Sequence, residues 1–403
     1  VQVSGNTSVG STRSQLVLDG GTLRSGQVAV GANGQLDWRA GTLHVTGVPG
    51  AALDGASLPS FLVLTAPRAL RVDQTLTLGE SSVLLLGGGA LTVGTLVFEG
   101  GLLAAVDGGQ QALAMGSIGE FAGRGQALVR VQGGSGMANR IRATGDLTLG
   151  VATRSDGFDF GGWLDVGSRQ VVLLDRDTAA LGSLTTLGQG GQLATVNGAW
   201  IGAGETLRSN GFASVHGALR NDGLVQADPM NGSGELSLFG PASGSGKFLG
   251  NVRFLAGFEP GAGKTAAVDF GGGDVAFGEH AVLALDLSGL GAEGGFDRLL
   301  DIGTLDFEGA LHLKFDASFR ALAGQRLPLL DFQSFMGRLD ASHVVVSGLD
   351  VGALDLSRLG VDGSLGFVST VGLPPIPEPA AVWLMLAGVG VVLARRRPAL
   401  QPR

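Results

Sequence analysis

Two stretches near the start of the chain, DGGTLRSG (residues 19–26) and RAGTLHVTG (residues 39–47), carry the same Gly-Thr-Leu phrase 20 residues apart. Each is followed by residues of strand type. The phrase returns at Gly94-Thr95-Leu96 and at Gly303-Thr304-Leu305. Between these points lie short apolar segments, such as Val28 to Val30, Leu76 to Leu78 and Leu147 to Leu149, bounded by Gly, Asn or Asp. Alternating segments of this kind read as strands, and pairs such as Asn197-Gly198 and Asp222-Gly223 read as turns. Helical periodicity is scarce before residue 378. Many short strands separated by glycine turns admit a stacked parallel solenoid or β-sandwich domains. The 20-residue echo favours the all-β parallel solenoid, in which each rung buries its apolar side on its neighbours. Rungs of ~20 residues rising ~4.8 Å each predict a rod on the order of 85 Å long.

Composition supports an elongated, turn-rich body. Gly accounts for 72 of 403 residues, while charged residues are 15% and hydrophobic ones 44%. The hydrophobic content argues against disorder, and the lack of a Gly-X-Y period with abundant Pro argues against collagen. The formal net charge is −8, with 27 cationic residues scattered singly until the end of the chain. Phosphate binding needs a concentrated basic stripe, so no nucleic-acid partner is expected. The absence of Cys excludes thiol catalysis, thiolate metal sites and disulfides. The chain opens at Val1 with VQVSGNTSVG, which has neither an initiator Met nor the pattern of a leader peptide. Either a leader has been removed or, since the first strands already read as repeat units, the repeat-containing solenoid assigned to 1–231 is truncated at its N-terminus.

Residues 232–370 read as a second block, the C-terminal part of the β-helix. The order here is GSGELSLFGPASGSGKFLGNVRFLAGFEPG, then HAVLALDLSGLGAEGGFDRLLDIGTLDFEGALHLKF, then QRLPLLDFQSFMGRL. The glycine-rich rungs, the Phe-x-Pro-Gly turn at Phe258 to Gly261, the Phe-Asp-Arg-Leu and the Gly-Gln-x-Leu-Pro-Leu-Leu strand together resemble the end of autotransporter-like adhesin passengers. The resemblance implies a parallel β-helix approaching its cap. It departs from that pattern in having no translocating β-barrel behind it.

The last block, 371–403, is different in kind. Ala380 to Ala394 is an uncharged apolar run of fifteen residues, followed by Arg395, Arg396 and Arg397. As a helix it spans only ~22 Å against a hydrocarbon core of ~30 Å, a deficit that arginine snorkelling and local bilayer thinning can close. Basic clusters stay cytoplasmic, so the arginines orient this short transmembrane helix with the preceding chain outside. Pro377 and Pro379 end the strand-rich body and hold Glu378 extended at the membrane face. Pro377-Glu378-Pro379, the apolar run and the Arg cluster together resemble a PEP-CTERM sorting signal. That family implies a membrane exosortase as processing partner, in Gram-negative bacteria that make extracellular polysaccharide.

Other motifs carry less. PGAGKTAA at Pro260 to Ala267 has the ring of a phosphate loop, but Phe258 stands where its first Gly is required, and a strand pattern follows it. Gly133-Gly134-Ser135-Gly136-Met137-Ala138 is similar to a calcium-binding nonapeptide with Ala138 at the ligand position. His44, His216, His280, His312 and His343 show no metal-ligand spacing. Asp156, Asp159, Asp165, Asp175 and Asp177 suit solenoid corners, where Asp caps its own backbone. They also admit a rival arrangement, in which carboxylates on successive rungs act as acid and base along a polysaccharide groove. No catalytic, cofactor or metal residue is assigned and no cofactor is expected. The expectation is an exported, non-enzymatic surface or matrix protein associated with extracellular polysaccharide and biofilm. It would be held in the membrane by its tail before exosortase processing. The alternative is a carbohydrate-active β-helix enzyme with the same tail.

Overall fold

The computed structural model describes residues 2–372 except 4, 11–13, 32, 108–109, 229–232 and 292–293. The chain is a parallel β-solenoid of about 12 turns. One rung shows how each turn is made. Trp163–Gly167 lies on a first face, Gln170–Leu174 on a second and Ala179–Ala180 on a third. The chain then returns to the first face with Leu184–Leu187, one rung further on. Leu164 pairs with Thr185, Thr185 with Leu207, and Leu207 with Val225, all parallel, so successive rungs here are 18 to 22 residues apart. The ladders run unbroken past residue 231, where Ala213–His216 pairs with Leu236–Leu238.

Strand alternation decides what lies inside. In Trp163–Gly167 the side chains of Leu164 and Val166 are buried, as are Val171 and Leu173 in the next strand. Burying each such side chain is worth roughly 1.5–3 kcal/mol, and the parallel neighbour above supplies the contact surface. Towards the far end the interior fills with aromatic rings. Phe254, Phe277 and Phe307 occupy one register position on three successive rungs of the second face. Phe248, Phe258 and Phe270 pack beside them, all fully buried.

The Gly-Thr-Leu echo proves to mark corners. Thr22 pairs with Thr42 and Leu23 with Leu43, so the first two copies are one position on adjacent rungs. Thr95 and Leu96 instead pair with Thr75 and Leu76, at a different corner. Gly303 sits at yet another, between Leu300 on the first face and Leu305 on the second. The requirement for glycine is steric. Gly41 has φ +91°, and a Cβ there would lie 2.4 Å from the carbonyl oxygen of Gly21 on the rung before. At Gly303 a Cβ would meet the carbonyl oxygen of Gly272 at 2.6 Å.

The expected length needs correction. About 12 turns rising ~4.8 Å make a body of about 60 Å, not 85 Å. The 20-residue spacing fails in the second half, where Val268 pairs with Leu299 and Leu299 with Leu330, 31 residues apart in each case. The additional residues form corner excursions, such as the hairpin in which Ser288 N–H donates to the Gly295 carbonyl at 2.8 Å. The parallel ladders also exclude the sandwich alternative for this body. At its end, Arg326–Pro328, Leu354–Asp355 and Ser364–Phe367 form a three-stranded antiparallel sheet. With the one-turn helix Leu359–Asp362 it covers the last rung, Phe367 stacking on Phe319 at 5.5 Å. Pro377, Glu378, Pro379, the apolar run and Arg395 to Arg397 lie outside the described residues. Among those described, no helix is long and apolar enough to cross a membrane.

Candidate functional site

The aspartates singled out in the sequence do not converge. Asp175 is buried and accepts N–H bonds from Phe158 at 2.9 Å and Asp177 at 2.7 Å, which makes it a corner anchor. Asp177 pairs with Arg176. Asp165 lies on the first face, bound to Arg140 and to the Thr186 hydroxyl at 3.1 Å. Asp156 sits in the corner before the third face and takes Arg130 and Arg154. Burial alone would raise its carboxyl, but the two arginines bring it below the ordinary value. Asp159 projects outward from the third face, with Phe158 and Phe160 buried on either side. Its backbone is in the ladder, but among the described residues its carboxylate has no hydrogen-bond or ion-pair partner.

The remaining motifs settle as structure. His44 bonds Asp73 at 2.9 Å, His216 stacks on Phe239 at 4.4 Å, His312 meets Ser347, His343 meets Asp340, and His280 is exposed. Among the described residues no group of three or more His, Asp or Glu is arranged to hold a metal ion. PGAGKTAA forms a tight turn, with Gly261, Ala262 and Gly263 all at positive φ, and leads into the strand Ala267–Asp269. The glycines of 133–136 form another turn ahead of a single 3-10 turn at Gly136–Ala138.

Sequence reading missed the place where carboxylates do meet. The strands Gly257–Pro260, Val282–Leu287 and Ala310–Phe315 are consecutive on the third face. They carry Glu259, Asp286 and Lys314. The Lys314 Nζ lies 2.8 Å from Glu259 Oε1 and 3.9 Å from Asp286 Oδ1, and Asp286 and Lys314 are register partners. The hydrogen bond to Glu259 is the main reason the ammonium is held above its usual pKa. Asp297 is fully buried behind them. Its Oδ1 accepts the Ala266 N–H at 2.6 Å and its Oδ2 the Asp286 N–H at 2.7 Å. Burial pushes this carboxyl up to about 7, against the pull of those two bonds and helped by the nearby charges of Asp286 and Glu259. An open depression of about 500 Å³ adjoins the group, lined by Lys264, Thr265, Asp286, Ser288, Lys314 and Asp316 among others.

Glu259 and Asp286 are 27 positions apart and Asp286 and Lys314 are 28, so no local motif brings the three together. The usable signal was the rung register, which aligns Asp286 with Lys314 once the third-face strands are paired. Asp297 is poorly placed for proton transfer, because both its oxygens point at backbone donors. No protein-family model matches the chain, and no curated protein matches it.

Proposed function

We propose that the chain is an exported, non-enzymatic β-solenoid delivered through a PEP-CTERM/exosortase route to the surface or extracellular polysaccharide matrix of a Gram-negative bacterium. One observation carries this reading: Pro377-Glu378-Pro379, the fifteen-residue apolar run and Arg395-Arg396-Arg397 follow directly on a solenoid body. Read from the sequence, the triple Arg would orient a helix formed by the apolar run, and Pro377 and Pro379 would leave Glu378 with few internal backbone bonds in front of a processing enzyme. The body suits a structural role. Its ladders bury side chains on successive rungs, and most of its acidic side chains end in Arg or Lys pairs or in turn caps. The resemblance to autotransporter-like passengers belongs to the same reading. The test is cell fractionation in a host with and without the matching exosortase. Surface or medium release only when the enzyme is present supports the proposal, and identical partition in both hosts counts against it.

A second reading, a polysaccharide lyase or glycosidase, draws on Glu259 and Asp286 meeting at Lys314 beside the depression. Glycoside hydrolysis requires an acid facing the scissile bond as well as a second carboxylate. The carboxyl with the raised pKa is Asp297, which is buried with both oxygens engaged. A binding role therefore fits the group better than acid catalysis. Polysaccharide turnover that is abolished by Glu259→Gln or Asp286→Asn would favour the enzyme.

A further inference from the structure

One straight row of outward side chains climbs the third face. Gln132 pairs with Asp159, Asp159 with Ala180, Ala180 with Trp200, Trp200 with Arg220, and Arg220 with Ser243. Rungs lie ~4.8 Å apart, so Asp159 and Trp200 stand about 10 Å apart with only the Ala180 methyl between them. Trp200 is 41% exposed, while Ala199 and Ile201 on either side of it are fully buried. Its indole N–H donates to Asp222 Oδ2 at 3.1 Å, and the same oxygen receives Arg220 Nε at 2.7 Å, which fixes the orientation of the ring. Trp163, on the first face, offers a contrast. Its ring is covered by the Arg140 guanidinium at 3.9 Å, and its N–H is spent on Thr186 at 3.0 Å.

We propose that Asp159, Ala180 and Trp200 form a docking notch for one strand of a neutral or amino-sugar polysaccharide. The ligand class rests on the matrix reading above, and the placement rests on this row. The C–H face of a pyranose can lie against the open indole, over the methyl floor. The unpartnered Asp159 carboxylate accepts hydroxyl or ammonium hydrogens at the far wall. Other occupants fit less well. A peptide strand needs an unpaired edge, and the third-face ladder is continuous here. Nucleic acids and acidic sugars meet Asp159 and a chain of net charge −8. A lipid surface would find a single aromatic ring among polar neighbours.

The test uses the full chain in a zwitterionic, sugar-free detergent, titrated calorimetrically with hexamers of a neutral β-glucan, of chitosan and of polygalacturonate. The first or second should bind with saturation and shift the tryptophan emission, while polygalacturonate should not bind. Trp200→Ala and Ala180→Leu should each weaken binding roughly tenfold or more, the loss expected for one stacking contact or a filled notch. Trp163→Phe should leave binding unchanged, and Asp159→Asn should weaken chitosan more than glucan. Circular dichroism identical to the parent shows that a variant is folded, and two independent notch variants guard against one that is not. Binding of neither the β-glucan nor the chitosan hexamer, equal binding of polygalacturonate, or full binding by folded Trp200→Ala and Ala180→Leu would overturn the notch. Tail-dependent release in the fractionation experiment involves no sugar, so failure of the notch leaves the sorting proposal standing, and the reverse also holds.

Discussion

Phe254→Ala removes the ring at the centre of the aromatic interior. Phe254 stacks on Phe258 at 4.8 Å and on Phe277 at 5.0 Å, and meets Phe248 edge-on at 5.8 Å. It is fully buried, so truncation loses the transfer energy of the ring and leaves a cavity, together about 3–5 kcal/mol. A loss of about 4 kcal/mol is comparable with the whole stability of many domains, ~5–15 kcal/mol. In a stack where each rung touches only its neighbours, that loss should stay local. Hydrogen exchange read by mass spectrometry should therefore show protection falling by close to a thousandfold in Leu236–Leu238, Val252–Phe254 and Val275–Phe277. Exchange near Thr22 and Thr42 should be unchanged. Phe254→Leu should cost less than half as much. Uniform acceleration along the chain, or none, would refute the rung-by-rung account of stability.

Asp297 should give stability an unusual pH dependence. Its pKa is raised to about 7 in the folded chain against 3.8 unfolded, so the folded state binds more protons between those values. Its contribution is therefore fully present below about pH 4, falls as pH rises, and is lost above about 7. The difference between parent and Asp297→Asn melting temperatures should change across that window, and a constant difference would contradict the assignment. Gly41→Ala should lower the urea midpoint by more than Gly55→Ala: both are left-handed, but only Gly41 would drive a Cβ to 2.4 Å from a carbonyl, whereas Gly55 has nothing within 4 Å. Equal losses would remove the corner argument. Replacing Arg395, Arg396 and Arg397 by Gln should scramble the topology of the tail, seen as protease accessibility of the body from the cytoplasmic side. Unchanged topology would count against the orienting role of those charges.

The fold was legible where physics acts over a few residues. Glycine corners and alternating apolar positions mark strands and turns, and Leu23 and Leu43 fall in register as their spacing implies. The sequence echo misled where one local shape serves several places. Gly-Thr-Leu satisfies any tight corner with a backbone passing behind it, so its later copies at Gly94 and Gly303 do not count rungs. Rung length was misjudged for the same reason, since corner excursions, such as the one closed by the Ser288 to Gly295 hydrogen bond, add residues without adding height. The Glu259, Asp286 and Lys314 group, and the Asp159 to Trp200 row, depend on register between strands about 20 to 30 residues apart. A one-residue slip would turn those side chains inward. Asp175 and Asp159 look alike in the sequence, yet one anchors a corner and the other stands open on a face.

The central claim, that the solenoid is cargo for an exosortase, is tested most directly by the intact mass of the protein recovered from the cell surface of a host carrying that enzyme. The account predicts a C-terminus at or near Pro379, with the apolar run and Arg395 to Arg397 removed. Recovery of the same protein with its mass extending to Arg403 would contradict it.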